Sequence, residues 1–225
     1  MRIGFTLFEN LTQLDMTGPA QVLARLPEAT MIYVGAGLDP VSTDCGFSIV
    51  PTMTRQACPA LDILVVPGGY GVSTAMADPA WTAFVARQAK TARFVTSVCT
   101  GAFILGAAGL LSDKRATTHW AYHDLLGLFG AEPVSARVVA DGALITGGGV
   151  TAGIDFALTL LAELEGRAFA ESIQTALEYD PEPPFKAGSP GAAPDLAASL
   201  KAGAFAERRE VMEAASRAAI KRLGG

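Results

Sequence analysis

Short, unbroken apolar runs alternate with helix-patterned segments along most of this chain. Residues 61–66 read Leu-Asp-Ile-Leu-Val-Val and stop at Pro67-Gly68-Gly69. Residues 93–98 read Arg-Phe-Val-Thr-Ser-Val, a β-type run expected to be the next buried strand, which passes directly into a small-residue helical pattern. A strand that is apolar along its length has both faces covered, so these runs predict a mostly parallel sheet between two helical layers, an α/β three-layer sandwich. Further strands are expected at 2–8 and 31–35, and a loosely alternating stretch at 41–50 reads as a hairpin or side sheet. Thr17-Gly18-Pro19 predicts a helix to about Leu26, with Thr17 as its cap. Asp78-Pro79 opens another to about Thr91. Asp141-Gly142 signals a hairpin between 137–139 and 143–146. Helices are expected from the end of the second run through Leu111, and at 118–129, 153–165, 167–178 and 195–223.

The chain has 225 residues, half of them apolar, enough for one large core and short for two. We read residues 1–225 as a single domain. The proline-, glycine- and alanine-rich segment 180–194 is a connector, and residues 190–225 are a C-terminal helical extension. A net charge of −5 leaves no basic excess for nucleic acid or an anionic membrane surface. Residues 94–112 carry no charge, but their polar and glycine residues predict a buried strand-turn-helix rather than a membrane span. The opening apolar run is too short for a signal-peptide core, and Glu9 interrupts it. Three scattered cysteines do not make a disulfide scaffold, so the expectation is a cytoplasmic protein with reduced thiols.

The residue inventory narrows the chemistry. His119 and His123 would share a helix face, but Trp120 occupies the place of the glutamate in H-E-x-x-H and no C-x-x-C pair occurs, so no metal site is expected. Gly147-Gly148-Gly149-Val150-Thr151-Ala152 imitates a dinucleotide loop. No acidic strand end follows it, so its glycines are read as close strand-helix packing.

Ser97-Val98-Cys99-Thr100-Gly101 is the informative segment. A buried strand reaches a cysteine, a helix starts at once, and small residues stand two positions to either side. This is the cysteine form of a nucleophile elbow. The helix N-terminus is expected to favour the Cys99 thiolate, and the Thr100 N–H to stabilise an anion together with the Gly69 N–H. Cys45 and Cys58 lack this context. Proton partners for Cys99 are His119, His123 or a carboxylate at the sheet edge. Asp15, among apolar neighbours after the first strand, reads either as a buried general acid or as a helix cap.

Val98-Cys99-Thr100-Gly101, Pro67-Gly68-Gly69, Leu14-Asp15-Met16-Thr17-Gly18-Pro19 and Ala116-Thr117-Thr118-His119-Trp120 together resemble the DJ-1/PfpI superfamily. Within it the pattern is most similar to the isonitrile (isocyanide) hydratases, and residues 174–185 share that likeness. The resemblance implies a flavodoxin-like sandwich, a homodimer, no cofactor, and a lyase-type hydration of R–N≡C to an N-substituted formamide. It implies Cys99 as nucleophile, Asp15 as the essential carboxylic acid and Thr100 as the residue that tunes the site. Peptidase-like members carry a histidine where Thr100 stands. Residues 130–134 lack the histidine partner of many relatives, which shifts the proton role to Asp15. Cys99 would attack the isocyanide carbon while Asp15 protonates it, and water would then hydrolyse the thioimidate. Gly69, Gly148 and Val150 would wall the space for an apolar substituent. Two other readings stay open: a ligand- or redox-sensing module using Cys99, related to transcription-regulator sensor domains, and a glyoxalase-like enzyme.

Overall fold

The computed structural model describes residues 1–224. The apolar runs become strands β1 (Arg2–Thr6), β2 (Thr30–Gly35), β6 (Ile63–Val66) and β7 (Phe94–Val98). Short strands β3 (Val41–Ser42), β4 (Ser48–Ile49) and β5 (Met53–Thr54) lie between β2 and β6. Strands β8 (Arg115–Ala116), β9 (Glu132–Pro133), β10 (Val138–Asp141) and β11 (Leu144–Gly147) follow β7. The central sheet has the order β10-β11-β7-β6-β1-β2-β5. Its pairs are parallel except β10–β11, the expected hairpin, where Gly142 takes the left-handed turn. β3 and β4 form the side hairpin.

The helices are α1 (Gln13–Leu23), α2 (Val72–Ala77), α3 (Pro79–Ala89), α4 (Ala102–Ala107), α5 (Ala152–Glu165), α6 (Arg167–Ala176), α7 (Pro194–Ala202) and α8 (Ala206–Leu223). One layer packs α1 on α5 and α5 on α6. The other packs α2, α3, α4 and α8 around one another. Ile3, Phe5, Ile63, Val65, Phe84, Phe103 and Phe156 are fully or almost fully buried between the layers. The sheet is apolar on both faces because helices cover both, as the unbroken runs require. No helix among the described residues is long and apolar enough to cross a membrane.

Four expectations change. Helix α1 starts at Gln13, with Thr12 at its cap, so Asp15 lies in the first turn and Pro19 in the interior. Thr17 does not cap; its hydroxyl donates to Gln13 Oε1 at 2.7 Å, one turn back. The helix after the elbow stops at Ala107, because Gly109 turns left-handed at φ +76°. Residues Trp120–Phe129 wind as a 3-10 helix with His119 at its cap, so His119 and His123 do not share a face. Finally, the C-terminal helix breaks at Gly203 into α7 and α8.

Strand register positions the site. Phe5 pairs with Val65, Val66 with Ser97, and Gly147 with Val98. The C-terminal ends of β1, β6, β7 and β11 therefore open at one edge, where open α/β sheets place their chemistry. Helix α8 folds back over this edge. Met212, Ser216 and Ala219 are buried beneath it, and Arg222 donates to the Met76 carbonyl at 2.7 Å. Arg209 meets both Asp124 oxygens at 2.9 and 2.7 Å, and Lys201 meets one at 3.2 Å. These cations hold the Asp124 carboxyl well below the usual carboxylate range.

Candidate active site

Cys99 follows β7 with φ +55°, a left-handed backbone that a non-glycine residue adopts only where the surroundings enforce it. Three contacts fix this turn. The Cys99 N–H donates to the Gly148 carbonyl at 2.8 Å. The Cys99 carbonyl accepts from the Thr118 hydroxyl at 2.7 Å. A Cβ on Gly101 would lie 2.1 Å from the Val66 oxygen, so only glycine lets the new helix pass the neighbouring strand. Thr118 is supported in turn by Thr117, whose N–H donates to Thr146 Oγ1 at 2.9 Å and whose hydroxyl donates to the Ala136 carbonyl at 2.9 Å. The backbone role of this Thr-Thr pair had no signature in the sequence beyond the motif itself.

Asp15 reaches the same place from α1 and is fully buried. Its Oδ2 accepts from the Gly68 N–H at 2.9 Å, while its Oδ1 has no protein partner. A Cβ on Gly68 would stand 2.6 Å from Thr100 N and 2.8 Å from Asp15 Oδ2. That missing side chain is what lets carboxyl and elbow approach. Burial raises the Asp15 pKa from 3.8 to about 8; the Gly68 N–H and Cys99 oppose the shift, and the charge of Asp44 adds to it. Asp15 is thus a protonated acid at neutral pH, the state expected of a general acid.

The thiol behaves otherwise than the elbow alone predicts. Burial and the Asp15 carboxylate push Cys99 well above its ordinary value, and the Thr100 N–H and hydroxyl pull it only part of the way back. Desolvation outweighs the helix N-terminus here, so the resting group is the thiol, not the thiolate. The Gly69 contribution also changes. Its N–H donates to Thr100 Oγ1 at 3.0 Å, so it supports the sulfur through the Thr100 hydroxyl rather than as half of an amide pair.

A cavity of about 430 Å³ opens above Cys99 and Thr100, and Gly69 and Val150 stand in its wall. Gly148 is not part of that wall; its backbone is spent on Cys99 and on the Arg137 carbonyl, to which its N–H donates at 2.9 Å. The remaining lining was not anticipated: Thr12 and Asp44, Tyr70 and Ser73 after β6, Tyr122, and Phe205, Glu207, Arg208, Val211 and Met212 near and within α8. His119 lines the cavity too, but burial lowers its pKa from 6.5 to about 4, so it is neutral. Its Nδ1 accepts from the Ala121 N–H at 3.3 Å, which places its proton on Nε2. His119 is therefore a poor base for Cys99, and Asp15 is the ionisable partner the fold brings to the sulfur. Cys45 is exposed, and Cys58 is buried away from the cavity lining.

Comparison with known proteins agrees with this architecture. The DJ-1/PfpI family model matches residues 1–163. The chain is 53% identical to the isonitrile hydratase of Pseudomonas putida over 220 residues, 96% of each chain. It is 27% identical to a glutathione-independent glyoxalase of Caenorhabditis elegans over 160 residues, 70% of this chain and 85% of that one. The crystal structure of a ThiJ/PfpI family protein from Pseudomonas syringae superposes with a TM-score of 0.92 at 42% identity, covering 96% of this chain and 90% of that one. The α/β sandwich, the cysteine elbow and the extent of these matches place the chain in the DJ-1/PfpI family.

Proposed function

We propose that the protein hydrates isocyanides to N-substituted formamides, using Cys99 as nucleophile and Asp15 as proton carrier. The observation that carries this reading is the pairing of a thiol on a strained elbow with a buried, protonated carboxyl at a cavity whose lining includes Tyr122, Val150, Phe205 and Val211. The likeness to the Pseudomonas putida isonitrile hydratase supports the substrate class. An isocyanide is neutral and poorly solvated, and its terminal carbon must gain both a nucleophile and a proton. A neutral acid beside a neutral thiol meets that need without an unpaired buried charge.

Protons balance through one carboxyl group. Asp15 gives its proton to the isocyanide carbon as the Cys99 sulfur bonds to that carbon, and the carboxyl takes up the thiol proton. The product is the thioimidate R–N=CH–S. The Gly68 amide holds Oδ2, so Oδ1 is the oxygen free to carry the proton. Water then adds to the thioimidate carbon, with one proton going to nitrogen by the same carboxyl relay. Collapse breaks the C–S bond, returns a proton to sulfur and releases R–NH–CHO. The Thr100 N–H and hydroxyl stabilise the sulfur as it departs.

We further read residues 1–225 as one domain with a helical extension from residue 190, acting as a cytoplasmic homodimer without a cofactor. Within the single chain α6 buries only Ala170, leaving Phe169 and Ile173 partly open, and Phe185 in the connector is 77% exposed. Light scattering at micromolar concentration should give twice the 23.3 kDa chain mass; the chain mass itself would refute the dimer. The activity is tested by incubating the protein with phenyl isocyanide and measuring N-phenylformamide by chromatography. Formation dependent on Cys99 is expected. No formamide from folded protein would overturn the function.

A further inference from the structure

The cavity is built from two unlike parts of the chain. Its floor, Cys99, Thr100 and Gly69, lies within the segment matched by the family model, residues 1–163. One whole wall lies beyond that segment and comes from the C-terminal extension: Phe205, Glu207, Arg208, Val211 and Met212. Phe205 stands at the break between α7 and α8. Its ring centre lies 5.4 Å from that of His119, 5.5 Å from Trp120 and 6.1 Å from Tyr122, the last two nearly edge-to-face at 80° and 81°. The wall is anchored to the rest of the fold. Met212 is buried, and Arg209 and Lys201 tie the extension to Asp124 on the 3-10 helix.

We infer that the C-terminal extension is the substituent-recognising wall of this site, with Phe205 as its specificity-determining residue, so that the protein takes isocyanides bearing a broad, flat apolar group over those bearing a small alkyl group. This rests on the hydratase reading above. The isocyanide carbon must reach Cys99 on the floor, so its substituent projects toward the opposite wall. There it meets Phe205, Tyr122, Val211 and Met212. An aromatic substituent gains apolar contact and edge-to-face stacking against that surface. A methyl group leaves most of the cavity of about 430 Å³ unfilled. Asp44, Glu207 and Arg208 also line the cavity, with the Arg208 guanidinium 3.8 Å from the Tyr70 ring centre.

The test compares phenyl isocyanide with methyl isocyanide in wild type, Phe205→Leu and Phe205→Ala, with circular dichroism as the folding check. Phe205→Ala should lose about tenfold or more in kcat/KM for the phenyl substrate, mostly through KM, and less than about threefold for the methyl one. Phe205→Leu should fall between. Equal losses for the two substrates, or none, would overturn the inference. Should Phe205→Ala unfold, Val211→Ala, at a half-exposed position in the same wall, carries the comparison with the same expected selectivity. Calorimetric binding of N-phenylformamide and N-methylformamide separates this inference from the hydratase reading. If wild type turns over neither isocyanide but binds the phenyl formamide preferentially, and Phe205→Ala erases the preference, the wall stands and the hydratase reading falls. Absence of both turnover and preferential binding sinks both.

Discussion

Asp15→Asn separates catalysis from stability, and the two should move in opposite directions. The native carboxyl holds its proton to about pH 8, whereas the unfolded one ionises near 3.8. The native state therefore binds the extra proton between those values. Stability from this group is complete below the unfolded pKa and is lost as pH rises toward the native pKa. The loss runs at about 1.4 kcal/mol per pH unit while only the unfolded chain is ionised. His119 acts with the opposite sign at lower pH. Its native pKa near 4, below the ordinary 6.5, makes stability fall as pH drops through that interval. The clean window is thus pH 6.5–8, above the histidine and below the thiol, and there Asp15 should lower wild-type stability by roughly 1.5–2 kcal/mol. Asparagine keeps an oxygen for the Gly68 N–H and carries no titrating proton. Urea unfolding of Asp15→Asn across this window should be flatter than wild type by that amount, with equal or higher stability at pH 8. Turnover should fall by ~10²–10⁴ for loss of a positioned acid. Parallel stability slopes in the two proteins would refute the protonated carboxyl, and retained turnover would refute its role.

His119→Ala should mainly raise KM by opening the aromatic wall, with kcat within about tenfold of wild type and the same pH profile; a dead, folded variant would restore a cysteine-histidine pair. Gly101→Ala should destabilise by about 3 kcal/mol or more in denaturant unfolding, because its new Cβ meets the backbone oxygens of Val66, held in the sheet, and of Pro67 just after it. A near-neutral Gly101→Ala would mean the elbow is looser than described. Cys45→Ala and Cys58→Ala should both retain isocyanide hydration, Cys58→Ala with some loss of stability from its buried position; inactivity of either folded variant would contradict the assignment of chemistry to Cys99 alone.

The sheet was legible because its strands announce themselves locally. Residues 63–66 are apolar on both faces, and such a run has few alternatives to a covered parallel sheet; residues 94–98 are β-rich and uncharged, and end where a helical pattern begins. The Asp78-Pro79 helix start was legible for the same reason: the Asp78 side chain accepts from the Ala80 N–H at 2.8 Å, a contact within three residues. Helix α1 misled because Thr17-Gly18-Pro19 is a good helix start in isolation. Gln13 and Leu14 join the helix because Asp44 serves its first turn from across the chain, accepting from the Gln13 N–H at 3.2 Å, while Thr12 at the cap position makes no side-chain bond. The direction of the Cys99 shift misled similarly. The helix N-terminus is a local effect visible in sequence, whereas burial of the thiol by the folded chain is not. The α8 wall was hidden altogether. Its charge pattern marks a surface helix, and nothing in that pattern states which opening it covers.

The proposed hydration requires a covalent bond between substrate and Cys99. Wild-type protein mixed with phenyl isocyanide, quenched in acid during turnover and digested, should yield the Cys99 peptide carrying the mass of one isocyanide, with the Cys45 and Cys58 peptides unmodified. Formamide production by Cys99→Ala at the wild-type rate, with no adduct on the wild-type Cys99 peptide, would contradict it.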